Sequence, residues 1–80
     1  MKIEDAIIAR IEQLKIEKGL SQYKLSEKSG VPQTTLVSIK RKRSINVGVS
    51  TIHKICEAFE IDMQEFFNSP LFKELDNSEY

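Results

Sequence analysis

The residues best suited to chemistry lie between positions 33 and 43. Gln33, Thr34, Val37 and Ser38 place an amide, two hydroxyls and a compact apolar group within six residues, and Lys40-Arg41-Lys42-Arg43 follow directly. A Gln amide pairs bidentately with adenine, a hydroxyl donates or accepts, and a valine meets a thymine methyl. Four consecutive cations suit a polyphosphate backbone. The bland alternatives are a solvated helix face and a solvated basic loop or nuclear localisation signal. A merely solvated face more often carries Glu and Lys pairs. Catalysis has far less to work with. One His, one Cys and scattered carboxylates around a tiny core leave no plausible pocket, so no enzyme is expected. His53 and Cys56 stand at i, i+3, yet two ligands do not make a metal site and the chain holds no other His or Cys. Cys56 reads as a small core residue and His53 as solvent-facing, with no cofactor implied.

The charge balance first argues against a nucleic-acid partner, because twelve Lys and Arg offset twelve Asp and Glu. Its distribution reverses that argument. Residues 1–20 are neutral. Residues 21–54 hold Lys24, Lys28, Lys40, Arg41, Lys42, Arg43 and Lys54 against Glu27 alone, a local charge of +6. Residues 55–80 hold Lys73 against seven acids, a local charge of −6. Local potential steers binding, so the basic middle is fit for a polyanion.

The elements that must position these groups are short capped helices, and no strand pair is legible. Ile3, Ile7, Ile11 and Leu14 recur at helical spacing, widened by Ile8, and Gly19 closes that first helix. Ser21 caps a second helix, with Leu20 and Leu25 as its hydrophobic staple, and Gly30 ends it. Val31-Pro32 then opens a third, from about Pro32 to Arg41. A turn of three or four residues between helices two and three has helix-turn-helix spacing. On the third helix Leu36 and Ile39, with Thr35, face inward, while Thr34, Val37, Ser38 and Arg41 share the other side with Gln33. A fourth helix starts at Gly48 or Ser50 and carries Ile52, Ile55, Cys56 and Phe59. Asp62-Met63-Gln64-Glu65 is a capping box for a fifth, stapled by Ile61 and Phe66, and Ser69-Pro70 can start a short sixth. The fold class is all-α: one compact five-helix domain over residues 1–69 with a short extension over 70–80. Eighty residues bury one modest core. A lone Cys forms no internal disulfide, no apolar run reaches about 18 residues, and nothing resembles a signal peptide, so a cytoplasmic protein is expected.

The ordered set Leu20-Ser21-Gln22, Leu25-Ser26, Ser29-Gly30-Val31, Thr35-Leu36, Ile39, Ile52, Ile55 and Asp62-Met63-Gln64-Glu65-Phe66 resembles the Cro/C1-type helix-turn-helix family of phage repressors and bacterial regulators. The resemblance spans about residues 7–67. It implies a lambda-repressor-like fold and sequence-specific binding of double-stranded DNA, most simply as a cytoplasmic, nucleoid-associated transcriptional repressor of bacterial or phage origin. Gln33, Thr34, Val37 and Ser38 then match base-contacting positions, and Gln22 matches a position that faces phosphate. Lys24, Lys40, Arg41, Lys42 and Arg43 would add backbone contacts. Three positions depart from the family pattern. An acid usually stands where Lys40 does, paired with a base at the position of Lys15; two lysines cannot make that pair. Either both face phosphate or the region is arranged differently. A Gly commonly stands at Lys42, and Lys24 replaces a helix-favouring acid.

Phe66, Phe67, Leu71, Phe72 and Leu75 are many large apolar groups for the end of a small domain. They would form a homodimer interface, or fold back over helix one. A dimer implies two half-sites about 34 Å apart. The alternative function is an antitoxin or protein-interaction adaptor on the same fold, with the acidic tail as its wrapping segment. No membrane partner, no small-molecule ligand and no separate effector module are expected.

Overall fold

The computed structural model describes residues 1–41 and 47–76. Five α-helices run in order, and no strand occurs among the described residues. Helix α1 spans Ile3–Lys18. Its acids Glu4 and Asp5 lie in the first turn and its bases Lys15 and Lys18 in the last, the arrangement the helix dipole favours. Ala6, Ile7, Ile11 and Leu14 are buried along one side. Gly19 ends the helix at φ 66°, a left-handed conformation that a Cβ would disfavour. Its N–H donates to the Ile16 carbonyl, and the Leu20 N–H donates to the Lys15 carbonyl at 2.9 Å, a Schellman closure.

Helix α2 (Gln22–Ser29) begins as its sequence dictates, with Ser21 Oγ accepting from the Lys24 N–H at 3.1 Å. Gly30 at φ 77° stops it. The turn beyond is fastened by two serines. Ser26 Oγ donates to the Val31 carbonyl at 2.6 Å, and the Val31 N–H donates to Ser29 Oγ at 3.1 Å. Helix α3 is Gln33–Lys40. Pro32 stands just outside it with ψ 146°, a conformation its fixed φ permits, and its carbonyl starts the helix by accepting from Thr35 and Leu36.

Helix α4 (Val49–Phe59) starts at Gly48 and buries Ile52, Ile55, Cys56, Ala58 and Phe59. Burial pushes the Cys56 thiol up to about 11, with the Asp62 carboxylate adding to the rise and Arg10 opposing it, so the thiol stays neutral in the core. Glu60 closes α4 at φ 60°, the only non-glycine in this conformation among the described residues. Helix α5 (Met63–Phe67) is capped by Asp62 Oδ1, which accepts from the Glu65 N–H at 2.7 Å. A 3-10 turn over Pro70–Phe72 follows, started by Ser69.

The core gathers α1, α2, α3, α4 and Phe66 of α5, with α2 packing mostly on α4. The C-terminal segment lies back against α1. The Asp76 N–H donates to the Met1 carbonyl at 2.9 Å, and the Asp76 carboxylate stands 3.2 Å from the Met1 amine. This placement corrects one candidate interface residue. Phe66 is wholly buried, its ring 4.9 Å from Phe67 and 6.2 Å from Phe72, so it belongs to the core and to no outer surface. Phe67, Leu71 and Phe72 are half-buried, and Leu75 is exposed.

Arg10 fastens this end of the molecule and was not legible as a structural residue in the sequence. Its guanidinium is nearly buried. Nε donates to the Phe66 carbonyl at 2.7 Å, Nη2 to the Glu65 carbonyl at 2.9 Å, and Nη1 to Gln13 Oε1 at 2.7 Å. The last carbonyls of a helix have no partner within it, and α5 takes its partner from α1.

Two stability changes follow. Arg10→Met keeps the apolar stem but strips the Phe66 carbonyl of its partner and leaves the Glu65 carbonyl only the Asn68 N–H at 3.2 Å, and is expected to lose about 3 kcal/mol in urea unfolding. Glu60→Gly relieves the left-handed strain and is expected to gain about 1 kcal/mol in the same assay.

Candidate nucleic-acid interface

Helix α3 has eight residues, too few to hold a helix alone, so its orientation comes from packing. Leu36 and Ile39 are buried at 5% and 4% exposure and fix the helix to the body. Thr35 beside them is half-buried. With that side anchored, Gln33 and Thr34 are exposed at the N-terminal end. Val37 and Ser38, one turn on, are half-buried, and Lys40 and Arg41 are exposed beyond them. The groups singled out by type are therefore presented as one strip by the anchoring of its opposite side.

Gln22 is the first residue of α2 and is half-buried, and Lys24 in the same turn is exposed. Neither α2 nor α3 has an acid in its first turn, so the positive end of each helix dipole is left uncancelled there. Lys24 Nζ reaches Glu27 at 3.0 Å, an exposed pair worth about 0–1 kcal/mol, which leaves Lys24 available to another anion. Lys42 and Arg43 lie outside the described residues.

Gln22 and Lys40 come together although 18 positions separate them. Both line a hollow of about 10 Å³, with Ile8, Ile11, Leu25, Leu36 and Ile39 around it and Glu12 and Lys15 beside it. Space of that size takes at most a water, so the hollow is a seam between α1, α2 and α3 and not a ligand pocket. The seam also answers how Lys15 and Lys40 coexist. Glu12 stands between them, its carboxylate 3.3 Å from Lys15 Nζ and 3.9 Å from Lys40 Nζ. The acid has moved to α1, one turn before Lys15. The i, i+3 spacing of Glu12 and Lys15 was the available signal for the first contact, but nothing local announces the second.

Two further features escaped sequence reasoning. The Ser26 and Ser29 bonds set the geometry between α2 and α3, and Arg10 holds α5 in place. His53 is exposed and Cys56 buried, and among the described residues no three His, Cys, Asp or Glu side chains group as a metal site. No helix of the described residues is long and apolar enough to cross a membrane.

Comparison with known proteins agrees with this geometry. The family model for the Cro/C1-type HTH DNA-binding domain matches residues 10–70. The chain is 32% identical over 71 residues to the HTH-type transcriptional regulator SinR of Bacillus licheniformis, covering 89% of this chain and 60% of that protein. It is 26% identical over 61 residues to the HTH-type transcriptional regulator PuuR of Escherichia coli (strain K12), covering 76% of this chain and 32% of that protein. The chain thus spans between a third and three fifths of the length of these curated relatives. The helix order, the glycine-centred turn between α2 and α3 and the match over residues 10–70 agree: the chain belongs to the Cro/C1-type helix-turn-helix family of DNA-binding domains.

Proposed function

We propose that this protein is a sequence-specific transcriptional regulator of bacterial or phage origin, acting as a repressor in the cytoplasm by occupying its site on double-stranded DNA. The observation that carries the reading is the strip on α3, with Leu36 and Ile39 buried and Gln33, Thr34, Val37 and Ser38 on the outer side. Helix α3 enters the major groove, and these four residues meet base edges. Gln22, Lys24, Lys40 and Arg41 lie along the phosphates, joined by Lys42 and Arg43 from the basic run, and supply affinity without sequence information. Names of the relatives support regulation of transcription. Two copies bind together, using the partly exposed Phe67, Leu71, Phe72 and Leu75, and place two recognition helices about 34 Å apart on one face of the duplex.

Fluorescence anisotropy against a panel of genomic fragments, titrated with salt, tests the proposal. Affinity is expected to fall steeply with salt, with two protomers per bound fragment. Gln33→Ala or Ser38→Ala should cost about 1–3 kcal/mol on the preferred fragment and little on others. Arg41→Ala should weaken all fragments alike and reduce the salt slope by about 1. A flat salt dependence, or equal affinity for every fragment, would contradict the reading.

A further inference from the structure

The carboxylate of Glu12 lies at the seam where α1, the start of α2 and the end of α3 meet. It faces two cations, and their surroundings differ. The Lys15 side chain is 12% exposed and held 3.3 Å away, whereas the Lys40 side chain is 56% exposed at 3.9 Å. Lys15 is thus a fixed partner. Lys40 is loosely held and free to turn outward, because an exposed pair at this distance gains little over hydration. A carboxylate beside a loosely held lysine offers the same anionic oxygen that a DNA phosphate offers. The two compete for one charge.

We infer that Glu12 is an internal counter-ion for Lys40, which stands in for DNA phosphate in the free protein and sets how much of the Lys40 charge reaches the backbone. The inference rests on the reading of Lys40 as a phosphate-facing residue. Glu12 acts through Lys40 and so is a positioning residue. Its effect is the same on every sequence, since phosphates carry no base information. Its consequence is restraint of indiscriminate binding: a neutral side chain at position 12 hands one more effective charge to any duplex.

The test measures binding of a mixed-sequence 30-bp duplex between 50 and 200 mM NaCl by the wild type, Glu12→Gln, Lys40→Gln, the double variant and Glu74→Gln. Glu74 lies on the C-terminal segment beyond α5 and does not line the seam of α1, α2 and α3, so Glu74→Gln controls for loss of one negative charge in general. Glu12→Gln is expected to bind several-fold tighter at 50 mM, and to lose about threefold more affinity than the wild type by 200 mM, the mark of one added phosphate contact. In the Lys40→Gln background the same substitution should give less than half that gain, and Glu74→Gln should match the wild type. Glu12→Ala, which keeps helix propensity at a half-exposed position, provides a second route if the Gln variant loses helical circular dichroism. An unchanged or shallower salt slope would overturn the inference, since a purely structural Glu12 leaves the slope alone. So would a full gain without Lys40. Wild-type protein that binds the duplex with no salt dependence would overturn the inference together with the reading beneath it.

Discussion

The burial of Leu36 and Ile39 is the constraint on which the rest of the molecule depends. A helix as short as α3 is not stable in water, and its two aliphatic anchors supply what propensity cannot. The angle at which they dock is set upstream. Gly30 turns the chain, Ser26 and Ser29 fasten the turn, and Pro32 delivers the next helix with its first carbonyl aimed. The rest of the core serves as the wall. Helix α4 supports α2, and Arg10 locks α5 onto α1 through the Glu65 and Phe66 carbonyls near its end. The polar strip of α3 can carry groups of no stabilising value, because its stability is supplied from the other side.

Electrostatics follows the same division. The chain is neutral in sum and polar in layout, with +6 over residues 21–54 and −6 over residues 55–80. Neutrality in total favours solubility less than a large net charge does, but leaves a local field intact where it is used. In the basic middle, Lys24 is tempered by Glu27 and Lys40 by Glu12. Both pairs are exposed enough to exchange partners. Such pairing holds back part of the positive charge from every polyanion alike.

What the sequence made legible was the portion of the fold written at short range. Gly19, Ser21, Gly30 and Asp62 act within four residues of themselves, and each does in the structure what its type and spacing require. The two sides of α3 were legible for the same reason, since periodicity is local. The Arg10 bonds join residues 55 and 56 positions apart, and no spacing rule reaches that far. Glu12 was hidden similarly, because its second partner lies on another helix. At the C-terminal end, the apolar residues suited an interface or a fold-back, and the sequence reading leaned to the interface. The 3-10 turn packs on α1 and Asp76 bonds Met1, and the complete burial of Phe66 assigns that residue to the core. Pro32 falls one residue outside the helix it was expected to begin, a shift within the usual uncertainty of helix ends.

In the proposed complex one strip, α3 with the start of α2, meets the DNA while the C-terminal end faces away from it. Amide chemical shifts recorded as a preferred duplex is added test it most directly. The largest changes are expected on Gln22, Gln33, Thr34 and Ser38, with Glu65, Phe66 and Asn68 of the α5 end scarcely moving. Changes centred on α5, with α3 unaffected, would contradict it.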